Sequence, residues 1–346
     1  MKKLIKFLLP FLVASSAVLS GCKKKNNVIE KTLLSYRDVH ASKTTEIDIE
    51  TMDLLTNTNK ESFLFVVNSK HCACWSMFEP NLNKYLSENK AVCYRMTYDD
   101  IKDQAVKYGL TNISSGDTTF AIFENGVLKK SLTTADNSDI MYDSATFNKY
   151  MNENVELSNC FKITKDDVAT IKASGKNAVI YFARLGCGDC ASINKGIFRT
   201  YLSEHKNANK IYVVDCEEFR GTEQYQTIKD ELGLSTVNNP IYGYGTGVFP
   251  FFSYISNNEY VSGAVIYNDS IEKTGEKYTI SDSYYTQERV SLLEYTNTIL
   301  KGKELSNNDV YEGGFIQWKS ESADTYYKPI LYSFLDTYLP RVTYSF

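Results

Sequence analysis

The chain has 346 residues, 43% hydrophobic and 23% charged, with 38 basic against 42 acidic side chains. A length of this order holds about two domains of ~150 residues, and the ordinary composition argues against a disordered, collagen-like or coiled-coil chain. A net charge of −4 argues against nucleic acid as a partner, and 3 histidines are too few for a histidine-built metal centre, so no metal is expected.

Met1 to Gly21 has a basic start (Lys2, Lys3, Lys6) and an apolar run from Leu8 to Leu19, broken only by Pro10, Ser15 and Ser16. That run falls short of the ~20 residues needed to span a bilayer, so it reads as a secretory signal peptide. Its end, Leu19-Ser20-Gly21-Cys22, resembles the lipobox of bacterial lipoproteins. The resemblance implies cleavage before Cys22, acylation of its sulfur and a lipid-anchored protein on the extracytoplasmic face of the membrane. The alternative is a plain secretory signal in which Cys22 is incidental. Lys23, Lys24 and Lys25 add attraction to anionic headgroups. Loss of residues 1–21 removes three lysines and no acid, leaving −7 over 325 residues. Residues 22–44 read as anchor and linker.

A first α/β unit is expected over 45–155. Glu46 to Ile49 reads as a strand, Met52 to Leu55 as a helix core and Ser62 to Asn68 as a buried strand. The motif His71-Cys72-Ala73-Cys74-Trp75 follows, with Pro80 eight residues after Cys72. Thr118 to Glu124 reads as a strand entering the hairpin turn Asn125-Gly126, with return through Val127 to Leu132.

The pattern repeats over 160–303, and the two cysteine motifs lie 115 residues apart. Phe161 to Ile163 reads as a strand, and Thr164 with Asp167 as a helix cap. Asn177 to Ala183 is an apolar run suited to the middle of a covered sheet, leading into Arg184-Leu185-Gly186-Cys187-Gly188-Asp189-Cys190 and a helix to about Glu204. Lys210 to Asp215 is a further strand, ending at Cys216. An insertion is expected at about 217–247, with a helix from Thr222 to Leu232 and the loop Gly243 to Gly247. Val248 to Ile255 and, after a turn at Asn257-Asn258, Tyr260 to Tyr267 are the last strands, and a helix is expected from Tyr284 to Leu300. The extension 304–346 is Tyr-rich, with a helix from Tyr327 to Tyr338 stopped by Pro340. It reads as packing against the second unit, or as an exposed aromatic patch for a partner.

Two features, Cys187-x-x-Cys190 after a buried strand and Val248-Phe249-Pro250 opening another, together with the element order, resemble thioredoxin. The resemblance implies an α/β fold of two tandem thioredoxin-like domains, each a central mixed sheet flanked by helices, the first one degenerate. It further implies that Cys187 is the nucleophile and Cys190 the resolving thiol. Pro250 would shape a substrate groove, with Phe249 presenting backbone to a bound peptide. The redox-active disulfide itself would serve in place of a cofactor. Departures are visible: Tyr181 stands where the family keeps a buried Asp, and Gly186 where an aromatic usually precedes the first Cys. In the first unit, Pro80 aligns with the helix-kinking proline of the family. That places Cys72 at the first-cysteine position, Trp75 at the second and Thr118 at the proline position.

A Cys at a helix N-terminus gains thiolate character from unsatisfied amide N–H groups and the macrodipole. Asp189 opposes that thiolate, and Arg184 is expected to offset it, which places the pair nearer the reducing end. An inert disulfide locking the helix start is the competing reading; a metal half-site lacks two further ligands. Cys72-Ala73-Cys74 fits a redox pair, a redox sensor, or two thiols that never meet. His71 beside it is a thiolate partner or a solvated loop residue. Cys216 reads as a third exchanging thiol or a buried free Cys, Cys93 as its counterpart at the matching strand position, and Cys160 as a free thiol at the junction. Acidic pairs Asp99-Asp100 and Asp166-Asp167 suit helix first turns. No GxSxG elbow, P-loop, dinucleotide glycine fingerprint or HExxH motif is present.

The expected function is a membrane-anchored thiol–disulfide oxidoreductase acting on exported thiol proteins or with a membrane redox partner. A non-enzymatic scaffold lipoprotein that presents its Tyr-rich tail and insertion to a partner is the alternative.

Overall fold

Phe63–Asn68 and Ala178–Ala183 are apolar at nearly every position, and a strand can be so only when helices cover both faces of its sheet. In the computed structural model each is the middle strand of its own sheet. The structure describes residues 30–69, 72–206, 208–231, 250–264, 271–274, 277–280, 304–305, 310–311, 315–316 and 328–346.

The elements that matter for the site run as follows in chain order. An edge strand β1 (Arg37–Asp38) precedes the first unit, which comprises β2 (Thr45–Glu46), α1 (Ile49–Asp53), β3 (Phe63–Asn68), α2 (Ala73–Asn89), β4 (Cys93–Thr97), β5 (Thr119–Glu124), β6 (Val127–Thr133), α3 (Thr134–Met141) and α4 (Ser144–Asn154). The second unit comprises β7 (Cys160–Ile163), α5 (Lys165–Ala173), β8 (Ala178–Ala183), α6 (Gly188–Ile193), α7 (Arg199–Glu204), β9 (Ile211–Asp215), α8 (Glu223–Glu231), β10 (Phe251–Ser256), β11 (Glu259–Ala264) and α9 (Lys328–Tyr338).

The first sheet has the order β2-β4-β3-β5-β6, with the first three strands parallel and the last two antiparallel. The second repeats it as β7-β9-β8-β10-β11, with β1 added parallel to the edge of β7. This is the thioredoxin arrangement, made twice. Along β3 the side chains alternate between two cores. Leu64 and Val66 meet Phe78, Leu82 and Phe147 from α2 and α4; Phe63, Phe65 and Val67 meet Met52, Leu55 and Tyr108.

The expected strand Glu46 to Ile49 shortens to Thr45–Glu46. Asp48 accepts a hydrogen bond from the Thr51 backbone N–H at 2.8 Å and thereby starts α1 one turn earlier than the apolar pattern indicates. Both hairpins close as expected, with left-handed Asn125 and Gly126 in the first unit and left-handed Asn257 and Asn258 in the second. Thr164 and Asp167 form the reciprocal capping box at the start of α5. Asp99 and Asp100 lie in the first turn of the short helix Tyr98–Ile101. The expected helix Thr222 to Leu232 is α8, and the strand expected to end at Tyr267 is described as far as Ala264.

One expectation is corrected. Cys93 does not match Cys216, because it opens β4 and pairs with Leu64, whereas Cys216 follows the end of β9. The β4 residue in register with Asp215 is Thr97, so Tyr98 is the counterpart of Cys216. The signal peptide, Cys22, Lys23 to Lys25, His71, the loop Gly243 to Gly247, Phe249 and the helix expected at Tyr284 to Leu300 lie outside the described residues. Among the described residues no helix is long and apolar enough to cross a membrane.

Lys31–Phe346 forms one compact unit. Thr32–Leu33 and β1, within the stretch read as anchor and linker, pair respectively with Val155–Glu156 and with β7. Arg37 of β1, on the second sheet, donates to the Asn89 carbonyl at the end of α2 at 2.8 Å, and Lys162 of β7 donates to the Tyr94 hydroxyl of β4 at 2.8 Å. The expected C-terminal helix is α9, and its Leu331, Phe334, Leu335 and Tyr338 are buried in the second core. Tyr338 stacks on Tyr254 with ring centroids 4.4 Å apart. The helix α9 of the tail is therefore packing material.

Candidate active site

β8 ends at Ala183, and Arg184-Leu185-Gly186 turns the chain into α6, for which Cys187 is the N-cap. The cap needs extended backbone and an acceptor for an orphan N–H, and Cys187 supplies both: φ −87°, ψ 121°, with its Sγ accepting from the Cys190 N–H at 3.4 Å. The Cys187 carbonyl accepts from Ala191 N–H at 2.9 Å, so the two cysteines share one helical turn. Both are free thiols. Cys187 is half-buried, while Cys190 is fully buried and receives the Arg184 backbone N–H at 3.4 Å. Burial first, and the neighbouring Cys187 sulfur second, push the Cys190 thiol well above its ordinary value. One thiol is partly exposed and accepts a backbone N–H; the other is covered and held protonated.

Three carboxylate and amide groups hold the turn. Asp215 at the end of β9 accepts from Leu185 N–H at 3.2 Å and from Glu217 N–H at 3.0 Å. The Glu217 carboxylate accepts from Gly186 N–H at 3.3 Å and lies 3.3 Å from Arg184 Nε. A Cβ on Gly186 would stand 3.2 Å from that carboxylate oxygen, so the small residue leaves room for its approach. Arg184 was expected to offset Asp189. Its guanidinium meets Glu217, because the short helix that follows Cys216 carries that side chain back over the turn; the Asp189 side chain lies outside the described residues. From the first unit, Asn59 donates to the Leu185 carbonyl at 3.1 Å, and the Leu185 side chain packs against the first unit's core. Asp215, Glu217 and Asn59 were not singled out by sequence reasoning. The run Asp215-Cys216-Glu217 directly after a buried strand was a usable signal for two of them; nothing near Asn59 marked it.

Tyr181, at the position where the family keeps an Asp, is fully buried and donates to Asn194 Oδ1 at 2.7 Å while stacking on Phe252 at 4.0 Å. A neutral hydrogen-bonded pair thus fills the place beneath the cysteines where a carboxylate was absent from the sequence. Pro250 is buried at the entrance to β10. Cys216 is buried beside the same turn, its N–H donating to the Ala183 carbonyl at 2.7 Å, and burial pushes its thiol up. Cys93 and Cys160 are buried free thiols, each pushed up by burial; Cys160 is the first residue of β7.

In the first unit Cys72 is the N-cap of α2, as Cys187 is of α6. The thiols of Cys72 and Cys74 meet: they form a disulfide with Cα atoms 5.1 Å apart. Thr118, at the proline position, lies just before β5 with its hydroxyl 3.3 Å from the Cys74 sulfur. The two cysteine pairs are not brought together. Leu185 meets the first unit at Asn59, before β3 begins, whereas Cys72 lies beyond its end, and the six residues of β3 span about 20 Å. Among the described residues no group of three or more His, Cys, Asp or Glu is placed to hold a metal ion.

No protein-family model and no curated protein matches the chain. Among solved structures it is similar to a thioredoxin variant from Halobacterium salinarum NRC-1, at 15% identity over 34% of this chain and 95% of that one, with a TM-score of 0.26. It is similar to the thioredoxin NaTrxh of Nicotiana alata at 18% identity over 33% of this chain and 95% of that one, TM-score 0.26. It is also similar to human ERp44, at 15% identity over 51% of this chain and 45% of that one, TM-score 0.26. These are likenesses of fold, and the fold assignment itself rests on the strand order and directions of the two sheets.

Proposed function

We propose that the chain is a thiol–disulfide oxidoreductase that works through Cys187 and Cys190. The observation that carries the reading is the asymmetry of the pair: a half-exposed, helix-capping Cys187 one turn from a buried Cys190. The Cys187 thiolate attacks one sulfur of a substrate disulfide, and the other substrate sulfur leaves as a thiolate. Cys190, once deprotonated, attacks Cys187 Sγ and releases the second substrate thiolate. The substrate gains two electrons and the enzyme ends with a Cys187–Cys190 disulfide, to be reduced by an outside dithiol. The Glu217 carboxylate bound to the turn makes a thiolate at Cys187 harder to form, which favours a pair at the reducing end of the thioredoxin scale.

The lipobox-like Leu19-Ser20-Gly21-Cys22 supports a lipid-anchored protein facing an extracytoplasmic space, where exported proteins with disulfides are the substrate class. Pro250 would line the peptide groove. Insulin reduction by the full chain tests the activity: turnover is expected in wild type and none in Cys187→Ser, while Cys190→Ser accumulates a mixed disulfide with substrate. Absence of turnover in wild type would support the scaffold reading. Membrane fractionation of wild type against Cys22→Ala tests the anchor, with release of the variant expected.

A further inference from the structure

We propose that the Cys72–Cys74 disulfide is a second exchange site, one that accepts electrons from a dithiol. The inference stands on the first unit alone and does not rest on the reading of Cys187. The pair occupies the N-terminus of a 17-residue helix, at the topological position that Cys187 has in the second unit, and both residues are partly exposed. A disulfide that merely staples a loop needs nothing to receive its sulfurs when it opens. Here each sulfur has a donor in place. Cys72 Sγ accepts from the Cys74 backbone N–H at 3.1 Å, and Cys74 Sγ stands 3.3 Å from the Thr118 hydroxyl. The Gly116 carbonyl, 3.3 Å from Cys72 Sγ, can accept the thiol proton once Cys72 is protonated.

The step balances as follows. A thiolate of the incoming dithiol attacks Cys74 Sγ; the Cys72–Cys74 bond breaks and Cys72 leaves as a thiolate, received by the Cys74 N–H and the helix N-terminus. The second thiolate of the dithiol then attacks its own sulfur partner in the mixed disulfide. Cys74 leaves as a thiolate, received by the Thr118 hydroxyl. The dithiol becomes a disulfide, having given up two electrons and two protons; Cys72 and Cys74 take the electrons, and the protons go to the two sulfurs or to water. Because the two cysteine pairs lie at opposite ends of the first sheet, the electron donor is an outside dithiol rather than Cys187 and Cys190 of the same molecule.

The experiment titrates the full chain, and separately the Cys187→Ser/Cys190→Ser variant, through a series of reduced-to-oxidised dithiothreitol ratios. Samples are quenched in acid, alkylated and digested with trypsin. Cleavage after Lys70, Lys84, Arg184 and Lys195 puts Cys72 with Cys74 on one peptide and Cys187 with Cys190 on another, so the two pairs are read separately. The expected result is reversible opening of Cys72–Cys74 in both proteins while circular dichroism stays native. Thr118→Val, which keeps the shape and removes the hydroxyl, should raise about tenfold the reduced-to-oxidised ratio needed for half opening, the loss of one hydrogen bond to a charged sulfur. Resistance to reduction until denaturant is added, full alkylation of untreated protein, or an unchanged midpoint in natively folded Thr118→Val would each overturn the proposal.

Discussion

Asn59, in the first unit, donates its side-chain N–H to the carbonyl of Leu185, 3.1 Å away and two residues before Cys187. Arg199, on the helix that continues from the CxxC turn, places Nη2 3.4 Å from the Asn59 carbonyl and Nη1 2.8 Å from Asn125 Oδ1. The turn that carries the nucleophile is thus gripped from two sides: by Asp215 and Glu217 of its own unit, and by a residue just ahead of the middle strand of the other.

Asn59→Ala leaves the Leu185 carbonyl without that partner, at a cost of about 1 kcal/mol. The thiol pair should respond as well as the stability. The expected outcome is a shifted midpoint for the Cys187/Cys190 couple in a glutathione titration, with the Cys72–Cys74 peptide unaffected. An unchanged midpoint would reduce Asn59 to a packing contact.

Glu217→Gln removes the carboxylate from Gly186 N–H and from Arg184, leaving the guanidinium without its counter-charge beside the turn. Both changes favour a thiolate at Cys187. Iodoacetamide labelling of Cys187 near pH 7 should accelerate by about threefold or more, since each tenfold change corresponds to ~1.4 kcal/mol. Slower labelling would contradict the assignment of Glu217 as the group that holds the pair toward the reducing end.

Asp167 ties the second unit to the N-terminal segment. Burial raises its carboxyl, but the Thr164 backbone N–H, His40 and the Thr164 hydroxyl more than reverse this and hold it below the usual carboxylate range. His40 Nε2 lies 2.8 Å from its Oδ2. A carboxyl lowered by folding contributes stability at neutral pH that disappears as pH falls through the folded value. Asp167→Asn should therefore cost about 1 kcal/mol near pH 7, since the amide keeps an acceptor for the Thr164 N–H but loses the charge that strengthens that bond and the one to His40. The difference should close in strong acid, where the wild-type carboxyl is protonated as well. Urea midpoints of the two proteins at neutral and acid pH make the comparison.

Much of the site was legible because its grammar is local. An apolar run followed directly by two cysteines three apart dictates a buried strand, a turn and a helix start, and Cys187 does cap that helix. The capping box of Thr164 and Asp167 and the hairpin turns at Asn125-Gly126 and Asn257-Asn258 were legible for the same reason: their partners lie within three residues. The strand before α1 was read too long, since Asp48 is a cap by its bond to Thr51 and a strand residue by its alternation with Ile47 and Ile49. Cys93 was matched to Cys216 by its strand alone, although strand register, set by pairing with Leu64, decides which end of β4 it occupies.

By itself, then, the sequence determined two successive α/β units, the cysteines that head their helices and the proline before β10, because hydrophobic period and helix capping act over a few residues; the likeness to thioredoxin came from the resemblance of its motifs. The tertiary structure decided what surrounds those cysteines. Glu217 comes back over the turn from beyond β9, Asn59 reaches it from 126 positions away, and Thr118 meets the Cys74 sulfur across 44. Contacts of that range depend on how strands order and how the two sheets dock, and a pattern that repeats every two or 3.6 residues carries no record of either.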